Sequence, residues 1–386
     1  MRKPKRSIAI VCRILWTGGV SLVAIEQQRQ FLLEGADSTL IFLRDAGSVY
    51  KLPEKTIILH GRERTERIAG RFLWNVTKKF AGHRGNGATV DLDYILGASK
   101  ELYKFDRIIF QDQWSAIPGV FLRMRGIPYI LLFHEFFRVP PGMNRRSVLA
   151  ILAWVYDLFS ILIAPAVVST SEFNYNLVNK FKKNAYLVRI GFPNPNRNEF
   201  RASKFSDSRK AVLSISLWDK GRNPYFYAQL AERLPFLNFI LAGTWTIKEE
   251  EINFRETYKH LSNLFVTGSI SDEEKTSFLI NSHFYLRIGY DERGPGMGGL
   301  EAMSYGVVPF TNKGLGLSEI IQDGINGFII EEPLLEKAIE ALKFAGSMCP
   351  EPLIAIAERN FDLCETYSWK KNVAELGKIF QIIDPN

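Results

Sequence analysis

Four glycines fall within six positions at 294, 296, 298 and 299, directly behind Arg293. Glycines let a backbone approach an anion closely, and the free N–H groups at a helix N-terminus supply donors and a favourable dipole. The apolar run 284–288 reads as a strand and the glycines as its loop. A helix then begins near Gly299 and stops at Gly306, a residue suited to a left-handed C-terminal cap. Arg293 adds a bidentate donor to the same loop. This combination is chemistry for a phosphate or pyrophosphate; the plain alternative is a tight strand–helix connection that binds nothing. Gly294-x-Gly296-x-x-Gly299 also spells the dinucleotide fingerprint. In that fold an acidic residue ends the next strand and holds a ribose. Here the next run, 307–310, leads into Thr311, Asn312 and Lys313, and the motif lies far from the first βα turn.

Other groups fall at comparable places. Lys220 and Arg222 follow the apolar run 212–215, and two cations beside a diphosphate would stabilise it as a leaving group without a metal. A solvated basic turn is the alternative. His134 follows the run 129–133 at a strand's carboxyl end, where it would hydrogen-bond a ligand. Gly18 and Gly19 follow the first apolar run and read as a backbone donor loop. Asp91 and Asp93 have a metal-binding spacing but lie in poorly patterned sequence, so no metal or other cofactor is expected.

The elements that must position these groups alternate. The runs 8–12, 38–43, 107–110, 129–133 and 167–169 read as buried strands, with helical patterns such as 22–33 between them. The rhythm pauses at 193–198, a cluster of proline and asparagine. It restarts with strands at 212–215, 239–242, 264–266, 284–288, 307–310 and 327–330, separated by helices such as 225–233 and 335–344. Two successive α/β units follow, with the break at 195/196. Ligands in such sheets sit at the carboxyl ends of the strands, and the cleft between two units is the expected site.

The length of 386 residues fits two domains, and 46% hydrophobic with 23% charged residues excludes a disordered chain. Residues 1–200 carry 29 Lys/Arg against 16 Asp/Glu, and residues 201–386 carry 20 against 25. A basic first half suits an anionic partner. The three cysteines, Cys12, Cys349 and Cys364, have no metal-like spacing and fit a reducing compartment. The apolar start is broken by Arg13, too early for a signal peptide. The greasy stretch 148–168 contains Asp157 and Pro165, which argues against a membrane span.

Residues 300–309, Leu-Glu-Ala-Met-Ser-Tyr-Gly-Val-Val-Pro, together with Gly316-Leu-Ser-Glu319 and Gly324 to Gly327, resemble the donor-site signature of glycosyltransferase family 4. Weaker matches extend the resemblance over most of the chain: Thr17-Gly18-Gly19-Val20, Phe133-His134-Glu135, 168–171, 189–191 and Tyr367-Ser-Trp369, the last resembling the start of the family's closing C-terminal helix; this implies a first domain of residues 1–195 closed by a helix at 366–386, and a second of residues 196–365. It implies the GT-B fold, two Rossmann-like doubly wound domains facing across a cleft, and transfer of a sugar from a nucleotide-sugar donor with retention at the anomeric carbon. The donor loop would comprise Gly294, Gly296, Met297, Gly298, Gly299 and Leu300. Of the family's Glu-x7-Glu pair, Glu301 matches the second, ribose-holding residue. The first position is Arg293, with Glu292 one residue early, so either Glu292 moves in or Arg293 serves the phosphates. In the 216–224 loop the family's Arg position is Leu217, and Arg222 fits its Lys position. His134 would contact the sugar, and Gly18 and Gly19 the phosphates or the acceptor. The acceptor proton would pass to a donor phosphate oxygen.

The expected enzyme is cytoplasmic, with a glycan, lipid-linked or small-molecule acceptor, in polysaccharide or glycoconjugate synthesis. The basic, aromatic region 62–84 and Arg145-Arg146 would suit peripheral contact with the anionic inner face of a membrane, or form an ordinary solvated surface. No RNA-binding signature is present, so nucleic acid is not an expected partner. The alternatives are a GT-B nucleotide-sugar epimerase and a non-catalytic sugar-nucleotide-binding protein.

Overall fold

The first strand, β1 (Ser7–Leu15), sends Ile8, Ile10 and Cys12 into one apolar cluster and Ala9 and Val11 into another. A strand buried on both faces belongs inside a parallel sheet covered by helices on each side. The computed structural model describes residues 6–15, 18–45, 47–48, 50–59, 98–134, 148–288, 294, 296–314, 316–332 and 334–384. The chain divides into two units, Met1–Gly191 with Trp369–Asn386, and Phe192–Ser368. The sequence placed these boundaries at 195 and 365.

In unit 1, β1 is followed by α1 (Gly19–Leu33), β2 (Asp37–Asp45), β3 (Thr56–Ile58), α2 (Ser99–Leu102), β4 (Arg107–Phe110), α3 (Gly119–Met124), β5 (Tyr129–Phe133), α4 (Val148–Ile163), β6 (Ala166–Ser169), α5 (Glu172–Val178) and β7 (Ala185–Leu187). The sheet order is β3-β2-β1-β4-β5-β6-β7, every pair parallel. Helix α1 covers one face and α2 to α5 the other.

Unit 2 contains β8 (Ala211–Ile215), α6 (Pro224–Arg233), β9 (Asn238–Ala242), α7 (Lys248–Tyr258), β10 (Leu264–Gly268), α8 (Asp272–Asn281), β11 (Phe284–Arg287), α9 (Met297–Ser304), β12 (Val308–Asn312), β13 (Phe328–Ile330), α10 (Leu335–Ser347) and α11 (Pro350–Thr366). Its order is β10-β9-β8-β11-β12-β13, again all parallel. In both sheets the winding direction reverses beside the first strand, between β1 and β4 and between β8 and β11. That reversal opens a crevice at the strands' carboxyl ends.

The chain then returns to unit 1 as α12 (Trp369–Ile383). Val373, Leu376, Ile379 and Phe380 join the α1 face of the core. A buried relay fixes the helix in register: Gln111 Nε2 donates to Gln27 Oε1 (2.6 Å), Gln27 Nε2 to Asn372 Oδ1 (3.0 Å), and Asn372 Nδ2 to the Arg189 carbonyl (2.8 Å). Gly191 lies so close to Trp369 that a Cβ there would overlap its indole and backbone.

The central strands and α1 fall where the sequence put them. Two edge strands, β3 and β7, were not read. Each is three residues long and partly exposed, so burial writes no pattern on it.

Candidate functional site

The reversal in unit 2 brings its two expected phosphate elements together. Strands β8 and β11 are neighbours, with Val212 opposite Phe284 and Leu213 opposite Tyr285. The loop after β8, with Lys220 and Arg222, therefore emerges beside the loop after β11. The β8 loop is a tight 3-10 turn (Lys220–Arg222). Asp219 Oδ1 accepts from the Arg222 N–H at 2.9 Å. The loop is anchored by Trp218, fully buried, whose indole N–H donates to the Ala242 carbonyl at 2.9 Å. Leu217 precedes it and is half-buried.

The helix of the glycine motif, α9, starts at Met297, two residues earlier than read from the sequence. Gly296 precedes it in the left-handed region at φ 72°, with no side chain to cap the helix. Gly299 N–H and Leu300 N–H already return to the Gly296 carbonyl (2.9 and 3.3 Å). The first helical N–H groups, those of Met297 and Gly298, have no partner within the helix and point outward from its end. Gly306 ends the turn that follows at φ 67°, as expected.

Three of the four glycines also have a packing reason. A Cβ on Gly296 would lie 2.8 Å from Arg287 Nε, and one on Gly299 would lie 2.7 Å from Leu317 Cδ2. On Gly298 it would overlap the Tyr285 hydroxyl, which donates to the Ile215 carbonyl at 3.3 Å. Gly294 has open space around it. The glycines therefore let α9 sit down onto Arg287 and Tyr285 of β11, which seats the helix N-terminus at the strand end.

Glu301 lies one turn into α9. Its Oε1 pairs with Lys275 Nζ of α8 at 2.9 Å, and both side chains are about three-quarters buried. Burial pulls the Lys275 ammonium down, but Glu301 and Asp272 outweigh it, so its pKa ends above the ordinary lysine value. The sequence supplied a ribose as the partner this carboxylate needs; the fold supplies a lysine for one of its two oxygens. Leu300 is buried and Met297 half-buried. Glu292 and Arg293 lie outside the described residues, as do the basic region 62–84, Asp91, Asp93 and Arg145-Arg146.

In unit 1, His134 directly follows β5. Burial pushes its pKa down to about 4, against a partly opposing pull from the Asp112 carboxylate. It is a neutral imidazole at pH 7, and its Nε2 is buried with no hydrogen-bond partner. Gly18 and Gly19 sit at the start of α1. The Gly18 carbonyl takes the Leu22 N–H (3.1 Å) and the Tyr50 hydroxyl (3.4 Å).

Arg287 and Lys275 were missed by the sequence reading. Arg287 is 6% exposed on a strand that otherwise reads as apolar, a signal that was present. Lys275 carries no such signal, because its partner is 26 positions away on another helix.

Residues 197–347 match the family model of glycosyl transferases group 1. A curated relative is the GDP-mannose:cellobiosyl-diphosphopolyprenol alpha-mannosyltransferase of Komagataeibacter xylinus. It is 24% identical over 119 residues, which is 31% of this chain and 30% of that protein. Among solved structures, Anabaena HepE in complex with UDP and glucose superposes with a TM-score of 0.72 at 13% identity, covering 97% of this chain and 99% of that one. Sucrose-phosphate synthase from Thermosynechococcus elongatus gives 0.74 at 13% identity, covering 98% and 99%. The chain thus has the GT-B fold, and the match of residues 197–347 to glycosyl transferases group 1 is in line with the resemblance read from the sequence.

Proposed function

We propose that this protein transfers a sugar from a nucleoside-diphosphate sugar to a glycan, lipid-linked or small-molecule acceptor, with retention of anomeric configuration. The observation that carries the reading is the pairing of β8 with β11. It sets a cationic turn beside an uncapped helix N-terminus inside the domain that matches glycosyl transferases group 1. In this reading the N–H groups of Met297 and Gly298, with Lys220 and Arg222, take the charge of the departing diphosphate. Glu301, held by Lys275 through one oxygen, offers the other to the donor ribose. His134 hydrogen-bonds the sugar as a neutral group, and Gly18 and Gly19 line the phosphate or acceptor side. Either Glu292 or Arg293 takes the place beside the sugar. The acceptor hydroxyl passes its proton to a donor phosphate oxygen, and the scheme includes no cofactor or metal.

We place the enzyme in the cytoplasm, in cell-surface polysaccharide or glycoconjugate synthesis, resting on an anionic membrane face. Among the described residues no helix is long and apolar enough to cross a membrane. Helix α4 nevertheless exposes Ile151, Trp154, Val155, Phe159 and Leu162 along one stripe. At its end, Arg123 and Lys182 donate to the carbonyls of Ile163 and Leu162. An apolar stripe ending in cations suits an anionic lipid surface.

A thermal-shift screen against UDP-, GDP-, dTDP- and ADP-sugars tests the donor assignment, since a ligand that binds the folded state must raise the melting temperature. Product analysis then separates a transferase, which needs an acceptor, from an epimerase, which converts donor alone. Binding without turnover across an acceptor panel would leave only a sugar-nucleotide-binding protein. No shift with any donor would refute the reading.

A further inference from the structure

The sheet of unit 1 ends at β7, and among the described residues no strand lies beyond it. The Val167 N–H donates to the Asn184 carbonyl and the Val188 N–H to the Ser169 carbonyl, both at 3.0 Å. Backbone groups alternate along a strand, so residues 184, 186 and 188 face β6 and residues 185, 187 and 189 face away from it. Of that outward set, the Arg189 carbonyl is taken by Asn372 Nδ2 at 2.8 Å. Ala185 and Leu187 are left with their N–H and C=O groups directed at the open edge. A cavity of about 410 Å³ lies against residues 185–188. Its walls are Tyr175 of α5 and Glu375, Lys378, Ile379 and Ile382 of α12, all within unit 1. Tyr175 packs on the core of one sheet face and Ile379 in the core of the other. The cavity therefore reaches both faces and passes β7 at its free edge.

Open backbone groups beside such a cavity accept an added strand. The residues there fit a strand of their own sequence. About a two-fold axis at Tyr186, Ala185 falls opposite Leu187 of a second copy, and Leu187 opposite its Ala185. All four residues direct their backbone groups outward, so each pair exchanges two hydrogen bonds. The two Tyr186 side chains then meet as a cross-strand aromatic pair. Leu187, 37% exposed, lies opposite a small side chain. The same axis lays α12 antiparallel beside its copy, where Ile382, 60% exposed at the cavity wall, gains cover. Charge decides for a second copy over a foreign strand. Glu375 and Lys378 lie one turn apart on α12, both half or more exposed, and pair with each other at 2.6 Å. Reversing the helix direction brings Glu375 against Lys378 of the second copy and Lys378 against its Glu375, so the surface is complementary to itself. We propose that the β7 edge is the interface of a two-fold dimer, in which two unit 1 sheets join into one continuous sheet. This goes beyond the transferase reading and does not rest on it.

The test follows the full-length chain, without nucleotide or sugar, by sedimentation velocity over a wide range of concentration. The wild type should pass reversibly from monomer to dimer as concentration rises. Lys378→Glu sets carboxylates against carboxylates across the axis, and Glu375→Lys sets ammonium groups against ammonium groups. Each variant alone should weaken self-association about tenfold. Mixed in equal amounts, the two should associate with each other as tightly as the wild type does with itself, because the mixed dimer restores every opposite pair. Leu187→Pro deletes one edge N–H at a place where a strand tolerates proline, and it should abolish the dimer. Circular dichroism checks that this variant keeps its fold. Should it not fold, the mixing experiment decides alone, since both charge changes lie on an exposed helix face. A chain that stays monomeric throughout would overturn the proposal and leave the edge to a strand of another protein. So would a dimer indifferent to all three substitutions. Charge variants that weaken the dimer yet do not recover on mixing would also overturn it, because Glu375 and Lys378 would then not face each other across the axis. No donor or acceptor enters the experiment, so its failure leaves the transferase reading standing, and failure of that reading leaves the dimer.

Discussion

Replacing Gly298 with alanine separates packing from ligand binding at the centre of the glycine motif. The added methyl would overlap the Tyr285 hydroxyl; the next atoms are Tyr285 Cζ at 3.4 Å and the Ile215 carbonyl at 3.6 Å, both tolerable contacts. Overpacking of this kind costs about 1–3 kcal/mol. Replacing a helical glycine by alanine returns up to about 1 kcal/mol. Gly298→Ala should therefore destabilise unit 2 by roughly 0–2 kcal/mol, a fall of several degrees in its melting temperature at about 2–4 °C per kcal/mol. Tyr285→Phe removes the obstructing oxygen. In that background the same alanine should stabilise by roughly 0.5–1 kcal/mol, the helix-propensity gain now unopposed. The two substitutions should thus couple by about 1–3 kcal/mol, well above the 0.3–0.5 kcal/mol scatter of independent sites. Calorimetric melting of the four proteins measures the cycle, and UDP and GDP titrations run beside it. Additive effects on stability would refute the packing argument. Restored stability with nucleotide affinity still lost would show that Gly298 is also needed for a phosphate to approach.

Glu301→Ala should abolish the nucleotide-induced thermal shift, and Lys275→Met should weaken nucleotide affinity about threefold to tenfold by releasing the carboxylate it holds; titration of the two variants checks both. The neutral His134 should make the protein less stable in mild acid. Its folded pKa of about 4 lies below the ordinary value of 6.5, so the unfolded chain binds the extra proton first. This stabilisation is complete above pH 6.5 and is lost as pH falls toward 4, by at most about 3 kcal/mol. His134→Gln should flatten that part of a melting curve taken against pH. Gly191→Ala should undock α12 and lower the melting temperature of unit 1 by 5 °C or more, because the methyl meets Trp369 ring and backbone with nowhere to move.

The fold was legible where burial writes a strong pattern. Strands such as β1 and β5 are apolar along nearly their whole length because helices cover both faces, and the two-unit rhythm followed from them. β3 and β7 escaped because burial writes no pattern on three partly exposed residues, whereas the equally short β13 is mostly buried and was read. The glycine loop and its C-terminal stop at Gly306 were legible from residue type alone. What the sequence could not say is why the glycines are there, since the atoms that exclude a side chain belong to Arg287, Tyr285 and Leu317. Long-range partnerships were equally invisible. Nothing local marks Lys275 as the companion of Glu301, and the resemblance at 168–171 does not reveal that the Ser169 and Thr170 hydroxyls are buried without partners.

The return of α12 makes the first unit discontinuous in sequence. Four side chains of its core, Val373, Leu376, Ile379 and Phe380, are synthesised roughly 180 to 370 residues after the neighbours they cover, which run from Ile8 to Val188. Each contributes roughly 1.5–3 kcal/mol when buried. During translation, the amino-terminal half must wait with one greasy flank uncovered while the second half is made and folds. Cellular quality control would meet that flank on every ribosome, and a premature stop near codon 368 would yield a protein whose second half is whole and whose first half never closes.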